Sequence, residues 1–345
     1  MRWKDVYIAG LGAYLPEQVV TTEEAVAAGW YDAAAAETNG VRAVRVAGDD
    51  ESGPTMAAAA GRQAVERSGH GKDELGLVLH ASLGHQGQDF WTPAHYVQNE
   101  AAGGSGAAIE LRQGSNGGLA GVELAASYLT ARPDVTAALV TTGDTFKLPY
   151  IDRWRSDDQT VYGDGAGAIV LSKRAGFARL RSTASRSEAS LEPLYRGVDG
   201  WTAAPGNGGQ PANLTQRKSD WLLRNEDGYD DALALISKNF GEALQAALDD
   251  AGTDLAGTQW FVHANVSRMI AEWGFYNALG ISRASTPYDW GLDYGHMGGG
   301  DQLIGMNRLV ETGAPKPGDL LVTVGVGIGF MWTVAVVELL ETPTW

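Results

Sequence analysis

The stretch GLAGVELAASYLTA (Gly118–Ala131) is the part of the sequence that decides the fold. Its pattern and length predict an α-helix, but nearly every face of that helix carries an apolar or small side chain. A helix without a polar face must be covered on all sides, so we expect this one to lie between two sheets. The stretch therefore predicts a layered α/β fold around a central helix.

The segments on either side of this helix recur in the second half of the chain. Each half contains three short β-branched runs in the same order, and such continuous runs are typical of strands buried on both faces. The runs are LVLHAS (Leu77–Ser82), LVTTGD (Leu139–Asp144) and AGAIVLS (Ala166–Ser172), then FVHANV (Phe261–Val266), LVTVGV (Leu321–Val326) and TVAVVELL (Thr333–Leu340). Further helices are predicted at Thr55–Gly69, Asp231–Gly252 and Gly300–Gly313. We therefore predict two matching α/β halves, residues 1–172 and 173–345.

The composition excludes several classes of function. Apolar residues make up 44% of the 345 and charged residues 20%, which predicts a large buried core. The formal net charge of −16 argues against nucleic-acid or anionic-membrane binding. No apolar run is long enough to cross a bilayer, and the start MRWKDVYIAG has no signal-peptide core. Since cysteine is absent, disulfides and thiolate metal sites are excluded, and we expect a cytoplasmic protein without a metal.

Ser115 stands in IELRQGSNGGLAG (Ile109–Gly121), in a turn between a predicted strand and the central helix. A nucleophile at this place would lie near helix N-terminal N–H groups, which stabilise developing negative charge. A serine before a glycine-rich helix start is also typical of a helix N-cap. The local pattern leaves both interpretations open.

Three other residues with ionisable side chains lie at the ends of predicted strands and helices. His263, in WFVHANVSRMI, ends a buried strand and is either a base facing a strand-end crevice or a core histidine bonded to backbone. His296 and Asp301 lie in YGHMGGGDQL, where the aspartate begins the next helix. Asp301 is therefore either a first-turn cap or the acid that orients the imidazole of His296.

Two glycine-rich strings, GDGAGA (Gly163–Ala168) and GVGIGF (Gly325–Phe330), lead into strands rather than helices, which disfavours nucleotide binding. They predict close backbone packing and N–H groups aimed at an acyl oxygen. The candidate oxyanion-hole groups are the backbone N–H groups of Ser115, Gly327, Ile328 and Gly329. The stretch Glu192–Asn225, rich in Gly, Pro and Trp, predicts a long loop or insertion beside the site.

Taken in order, these strings resemble the β-ketoacyl-ACP synthase III family over essentially the whole chain. The matching strings are IAGLGAYLP (Ile8–Pro16), YGDGAGAIVL (Tyr162–Leu171), the segment from His263 to Arg268, KPGDLLV (Lys316–Val322) and VGIGFMW (Val326–Trp332). The resemblance implies a thiolase-like five-layered αβαβα fold of two duplicated halves, and a homodimer. It also implies a nucleophile at the start of the central helix, and an acyl group that arrives as a thioester on an acyl-carrier protein or coenzyme A.

The chain departs from the family pattern at two positions. Ser115 stands where the family has its nucleophilic cysteine, and His296 stands where an asparagine is expected. A thiol with a pKa of about 8.5 can be ionised at a helix N-terminus, whereas a serine hydroxyl needs a general base held by a partner. His296 and Asp301 supply such a pair, as in the similar serine-bearing branch of polyketide and antibiotic pathways. Whether His263 or His296 activates the serine stays open.

These departures bear on the reaction. In decarboxylating family members the histidine and asparagine together stabilise a thioester enolate, and here the asparagine is lost. We therefore expect an acyltransferase that moves an acyl group through acyl-Ser115 to a hydroxyl or amine of a small natural-product acceptor, such as a sugar or aminocyclitol. The alternatives are a decarboxylative starter-unit β-ketoacyl-ACP synthase, a non-catalytic partner of a polyketide synthase assembly, and a serine hydrolase.

The resemblance also bears on the acyl donor. Arg268 matches a basic position that in the family faces the carrier protein, although a solvated helix arginine is the simpler interpretation. The stretch AAAAETNGVR (Ala33–Arg42) does not carry the tryptophan–arginine pair that clamps coenzyme A in the family. We therefore expect the phosphopantetheine of an acyl-carrier protein as donor, with coenzyme A as the alternative and no bound cofactor.

Overall fold

The structure is a computed structural model that describes residues 1–203, 206–225 and 228–345. Within these residues it contains eleven strands in two sheets. The strands are β1 (Tyr7–Tyr14), β2 (Val19–Thr21), β3 (Ala43–Arg45), β4 (Leu75–Ala81), β5 (Ala107–Leu111), β6 (Ala137–Asp144), β7 (Gly165–Ser172), β8 (Ala178–Ser187), β9 (Trp260–Val262), β10 (Leu320–Gly327) and β11 (Met331–Leu339).

The described residues also form twelve α-helices. They are α1 (Thr22–Ala27), α2 (Ala33–Asn39), α3 (Gly53–Ser68), α4 (Pro93–Val97), α5 (Gly117–Ala131), α6 (Pro193–Arg196), α7 (Leu214–Leu223), α8 (Gly228–Ala251), α9 (Arg268–Ala271), α10 (Asn277–Leu279), α11 (Tyr288–Gly291) and α12 (Asp301–Glu311). None of these helices is both long and apolar enough to cross a bilayer.

The large sheet has nine strands in the order β5-β4-β6-β7-β1-β8-β11-β10-β9, while β2 and β3 form a separate ribbon. The run β4-β6-β7-β1 in the first half corresponds to β9-β10-β11-β8 in the second, with one parallel pair followed by antiparallel pairs. The two half-sheets are joined by a short β1–β8 pairing, Tyr7 with Arg179 and Ile8 with Ala178, next to an isolated bridge between Arg2 and Ser182. This strand order agrees with the duplication expected from the repeated runs, and the division between residues 172 and 173 stays a prediction.

Helices cover the half-sheets in five layers. α3 packs on β1, β6 and β7, and α8 packs on β8 and β11, so these two helices form the outer layers. α5 and α12 each contact strands of both half-sheets, which places them in the central layer. Because β1 pairs with β8, the two predicted sheets are one hydrogen-bonded sheet whose halves enclose α5 and α12. The αβαβα fold expected from the resemblance is confirmed.

Two details of the expected fold need correction. α5 is buried from Gly117 to Val122, but Leu124 is 49% exposed, because only one side of its C-terminal half is covered. The stretch Glu192–Asn225 is not one long loop, since it contains α6 and α7, and α7 has an N-cap at Asn213. Residues 204 and 205 of that stretch lie outside the described residues.

Candidate active site

Ser115 lies in a helical turn, Gly114–Asn116, that connects the end of β5 to α5. The N–H of Asn116 donates to the carbonyl of Gln113 (3.2 Å) and closes this turn. The side chain of Asn116 is fully buried and donates to Thr333 Oγ1 on β11 at 2.9 Å. The turn that carries the serine is therefore fixed to the opposite half of the molecule.

A second turn, Gly298–Gly300, packs directly against the start of α5. A Cβ atom on Gly118 would lie 2.5 Å from the carbonyl oxygen of Gly299, well inside van der Waals contact. A side chain at either position would push the two turns apart. The glycines therefore allow the segment that carries His296 to approach the segment that carries Ser115.

Ser115, His296 and Asp301 form a continuous chain of hydrogen bonds. Ser115 Oγ lies 2.6 Å from His296 Nε2, and His296 Nδ1 lies 2.5 Å from Asp301 Oδ2. A carboxylate can only accept, so Nδ1 carries the proton toward Asp301 and the neutral ring presents Nε2 as an acceptor for the serine hydroxyl. This is the geometry that a general base needs in order to take a proton from serine.

Asp301 is held by the backbone of two neighbouring segments. Its Oδ2 accepts the N–H of Asn265 at 2.7 Å and its Oδ1 accepts the N–H of Met297 at 2.8 Å. Neither donor belongs to α12, so the carboxylate does not cap the helix that it begins. Of the two interpretations left open by the sequence, the contacts match the one in which Asp301 orients His296.

The environment of His296 changes its basicity in two opposing directions. The ring is 4% exposed, and this burial lowers its pKa. The charge of Asp301, the hydrogen bond to it and the charges of Asp144 and Asp157 together outweigh burial, so the net pKa of His296 lies above the usual value of 6.5. A higher pKa makes the neutral imidazole a stronger base for the serine proton.

His263 follows β9 and has a different set of partners. Its Nδ1 donates to the carbonyl of Ala264 (2.8 Å), and its Nε2 lies 2.9 Å from the hydroxyl of Tyr276. The ring stacks on Phe275 with centroids 4.4 Å apart. Burial lowers the pKa of His263 to about 4, so the ring is neutral at pH 7. Both of its nitrogens are bonded away from Ser115, and the structure does not bring it into the chain of hydrogen bonds.

The glycine loop between β10 and β11 reaches the serine turn at two of its predicted positions. A Cβ atom on Gly114 would lie 2.9 Å from the backbone nitrogen of Ile328, so that nitrogen is close to the residue before Ser115. Gly327 packs against Gln113, whereas a Cβ on Gly329 would meet nothing within 4 Å. Both Gly327 and Ile328 therefore contact the serine turn, and the role of all four predicted oxyanion donors stays a prediction.

A cavity of about 700 Å³, which we name the side cavity, opens beside the serine turn. Gly114 and Ile328 form part of its wall, while Ser115 and His296 are not lining residues. It therefore borders Gly114, the residue before the serine, and not the serine side chain itself. Its other apolar walls are Leu83, Phe146, Leu148, Pro149, Tyr150, Ile151, Ala212 and Leu214. In the part of the chain that the structure describes, no group of three or more His, Asp or Glu side chains is arranged to hold a metal ion.

Asp144, at the end of β6, is a buried acid near this site that sequence reasoning did not single out. Its Oδ1 accepts the N–H groups of Leu83 and Gly84, each at 2.8 Å, which holds the loop after β4 in place. Burial raises the pKa of Asp144 to about 7. Asn265 was likewise not assigned a role. The positions of Asp144 and Asn265 in the site depend on contacts between segments that are distant in sequence. The sequence signal that could have identified Asp144 was its place as an acid at the end of a predicted buried strand.

Arg268 lies on the surface as the first residue of α9. Its guanidinium donates to the backbone carbonyl of Glu37 in α2. The side chain therefore connects α9 to α2 while its outer face stays in solvent. This position is compatible with the carrier-protein role expected from the resemblance and equally with that of a solvated helix arginine.

Comparisons with known proteins agree with this architecture. Residues 109–189 match the family of 3-oxoacyl-[acyl-carrier-protein (ACP)] synthase III, and residues 248–339 match the C-terminal part of that family. The solved structure of ChlB3, an acyltransferase, is 36% identical, covers 99% of both chains and superposes with a TM-score of 0.92.

Two more distant relatives are named ketoacyl synthases. The β-ketoacyl-[acyl-carrier-protein] synthase III of Sinorhizobium medicae is 27% identical over 338 residues, which cover 94% of this chain and 96% of that protein. The solved structure of the priming β-ketosynthase of the R1128 polyketide pathway is 19% identical, covers 99% of this chain and 98% of that protein, and superposes with a TM-score of 0.78. At this low identity the similarity is evidence for the fold and not for the activity. The chain belongs to the 3-oxoacyl-[acyl-carrier-protein] synthase III family of thiolase-fold enzymes.

Proposed function

We propose that the protein is an acyltransferase that accepts an acyl group from an acyl-carrier-protein thioester and passes it through acyl-Ser115 to a hydroxyl or amine of a small acceptor. The observation that carries this proposal is the hydrogen-bond chain from Ser115 through His296 to Asp301. A serine nucleophile requires a base oriented by a third group, and these three residues have that arrangement.

The first half of the reaction forms the acyl-enzyme. Ser115 Oγ attacks the thioester carbonyl carbon while its proton passes to His296 Nε2. The negative charge on the carbonyl oxygen is stabilised by backbone N–H groups, for which the four predicted oxyanion donors are the candidates. The carbon–sulfur bond then breaks, and the imidazolium returns the proton to the departing thiolate. Asp301 keeps its negative charge and stabilises the imidazolium throughout.

The second half transfers the acyl group to the acceptor. His296 Nε2 takes the proton from the acceptor O–H or N–H as that atom bonds to the carbonyl carbon. The bond to Ser115 Oγ breaks, and the oxygen recovers the proton from the imidazolium. The same base thus serves both halves of the cycle, and no carbon–carbon bond is formed.

The partners of His263 favour transfer over decarboxylative condensation. Condensation needs donors that stabilise a thioester enolate when carbon dioxide leaves. His263 gives its only N–H to the carbonyl of Ala264, and the asparagine expected by resemblance is replaced by His296. A starter-unit β-ketoacyl-ACP synthase remains the second candidate, because the Sinorhizobium medicae relative carries the synthase name.

One product assay distinguishes the candidates. The enzyme is incubated with acetyl-ACP and a panel of sugars and aminocyclitols, and separately with acetyl-ACP plus malonyl-ACP. We expect an O- or N-acetyl product and no release of carbon dioxide. Carbon dioxide together with a β-keto product would establish the synthase instead. Free acetate at a rate independent of acceptor would indicate a hydrolase. The same low turnover in wild type and Ser115→Ala would leave direct transfer or a non-catalytic partner.

The carrier-protein contact can be tested at Arg268. If its exposed guanidinium meets the acidic carrier, Arg268→Glu raises KM for acetyl-ACP about tenfold while kcat is kept. The matching substrate without a carrier, S-acetyl-N-acetylcysteamine, should show no change. An equal loss with both substrates would mean that the arginine acts only by holding α9 against α2.

The proposed homodimer has a candidate interface at the β5 edge of the large sheet. Ile109 on this edge strand is 46% exposed, and Leu124 on α5 is 49% exposed. An open edge with exposed apolar side chains is a template for pairing with a second chain. Sedimentation should therefore give a dimer, and Ile109→Lys should shift it toward monomer. A wild-type monomer at assay concentrations would contradict this part of the proposal.

A further inference from the structure

The side cavity contains three cationic side chains, Arg112, Lys147 and Arg217, together with one carboxylate, that of Glu51. We propose that this cavity binds an anionic group, a carboxylate or a phosphate, carried by the substrate. The inference rests on the proposed function in one respect, namely that the cavity serves a reaction at Ser115. It goes further by assigning a chemical class to the substrate.

The three cations have no carboxylate partner among the described residues. Arg112 donates to the carbonyl of Leu83 at 2.9 Å, and Lys147 donates to the carbonyl of Gly48 at 3.0 Å. Arg217 donates to the carbonyl of Tyr195 at 3.0 Å and to the side chain of Asn207. A guanidinium has five N–H donors and an ammonium three, so each cation keeps donors available for a ligand.

The carboxylate of Glu51 is committed to other groups. Its Oε2 accepts the N–H of Gly48 at 2.6 Å, and its Oε1 lies 2.5 Å from the hydroxyl of Tyr14. The cavity therefore holds three cations against one carboxylate, in a chain whose formal net charge is −16. An acidic protein that gathers unpaired cations around a cavity attracts an anion to that cavity.

The remaining side chains of the side cavity are mostly apolar, with Ser52, His85, Thr145 and Asn207 as polar exceptions, so the ligand needs an apolar or ring-shaped body beside its charged group. The volume of about 700 Å³ accommodates a ligand of drug-like size. Burial lowers the pKa of Arg217, a sign that this guanidinium is removed from water and gains from an incoming anion. Because Gly114 borders the cavity, a group bound there lies near the serine turn, and the test compares the acyl chain and the acceptor as carriers of the charge.

The first arm of the test asks whether the acyl chain carries the charge. Glutaryl-ACP and pentanoyl-ACP have acyl chains of equal length, and only the glutaryl chain ends in a carboxylate. If the acyl chain is the source, Ser115 is acylated about tenfold faster by glutaryl-ACP. The preference should disappear in Arg112→Gln and in Lys147→Met. It should persist in Arg62→Gln, an exposed arginine outside the cavity that also donates to one backbone carbonyl.

The second arm asks whether the acceptor carries the charge, and it needs no catalysis. Ser115→Ala protein is titrated with two pairs of ligands, and tryptophan fluorescence reports binding. The first pair is glucose 6-phosphate and glucose, and the second is S-glutaryl-N-acetylcysteamine and S-pentanoyl-N-acetylcysteamine. Binding of glucose 6-phosphate but not glucose identifies the acceptor, whereas binding of the glutaryl but not the pentanoyl thioester identifies the acyl chain. Either affinity should fall about tenfold in Arg112→Gln and weaken further with added salt.

The two arms separate failure of this inference from failure of the proposed function. If no acyl-Ser115 forms with any donor, the proposal of an acyltransferase is overturned. Anion binding in the second arm would still support the inference that the side cavity binds an anion. The inference is overturned if neither anion is preferred to its neutral counterpart in either arm. It is also overturned if Arg62→Gln abolishes the preference as fully as Arg112→Gln does.

Discussion

His296 and His263 are both buried histidines, each 4% exposed, and yet their surroundings move their pKa in opposite directions. Burial lowers the pKa of His263 to about 4, and its neighbours are Phe275, Tyr276 and a backbone carbonyl. Burial also lowers the pKa of His296, but nearby carboxylates, above all that of Asp301, outweigh burial and raise the net pKa. The two rings therefore differ in their charged surroundings: His296 is hydrogen-bonded to the Asp301 carboxylate and also lies near Asp144 and Asp157, whereas Asp301 acts on His263 without a hydrogen bond to it.

This comparison shows how one residue type takes two roles in one fold. The imidazole beside Asp301 can receive and hold a proton, because the carboxylate stabilises the imidazolium. The imidazole in the aromatic cluster of Phe275, Tyr276 and Tyr288 stays neutral and acts as a packed, hydrogen-bonded core group. We therefore assign the base to His296 and expect the variants below to separate the two regions.

The largest expected difference is between His296→Gln and His263→Gln. Loss of the base at His296 should slow acylation of Ser115 by roughly 10⁵-fold or more, since serine then lacks a proton acceptor. Loss of His263 should slow it by less than about tenfold, because that ring does not contact the serine. Single-turnover acylation by acetyl-ACP measures both. A greater loss in His263→Gln would assign the base to His263.

The next effect is that of removing the buried charge. Asp301→Asn keeps the shape of the side chain but favours the wrong tautomer of His296, so acylation should fall on the order of 10⁴-fold. The same assay measures it, with circular dichroism to show that the fold is kept. As a control, Asp319→Asn changes an acid that is bonded to Trp260 far from the site. Equal losses in the two variants would indicate a purely structural role for Asp301.

The acylation rate of the wild type should depend on pH in a defined direction. His296 must be neutral to accept the serine proton, so the rate rises about tenfold per pH unit below its pKa and levels off above it. Because Asp301 raises that pKa, the inflection should lie above 6.5. In Asp301→Asn the inflection should move down. An inflection near pH 4 would instead point to His263.

The smallest effect is expected in the aromatic cluster. Tyr276→Phe removes the hydroxyl that bonds His263 Nε2 and should lower the free energy of unfolding by about 1 kcal/mol. Acylation should be unchanged, because no bond connects this hydroxyl to Ser115. Urea denaturation and single-turnover acylation measure the two quantities. A large kinetic effect with unaltered stability would show that His263 takes part in the chemistry.

Much of the fold could be predicted because its signal is local. The β-branched runs and the apolar pattern of Gly118–Ala131 are properties of neighbouring residues, and the duplicated order of strands followed from them. The exposed side of α5 at Leu124 could not be predicted, since it depends on where the surrounding strands end. The helix α7 was missed because its weakly apolar sequence lies in a segment rich in Gly, Pro and Trp.

The candidate site was predictable in its residues but not in its contacts. The sequence paired His296 with Asp301 because they are neighbours separated by flexible glycines. It could not show that the N–H groups of Asn265 and Met297 hold the carboxylate, because these contacts require the final packing of α12. For the same reason, the direction of the His263 ring and the cations of the side cavity became visible only in the structure.

The most direct test of the central claim is the mass of the protein after mixing with acetyl-ACP, followed by peptide mapping. The claim that Ser115 is a nucleophile activated by His296 predicts one acetyl adduct, on the peptide that contains Ser115. The adduct should persist in Ser127→Ala, which changes another serine of the same region, and should be absent from Ser115→Ala and His296→Gln. An adduct of equal yield in Ser115→Ala, or one located on a different peptide, would contradict the account.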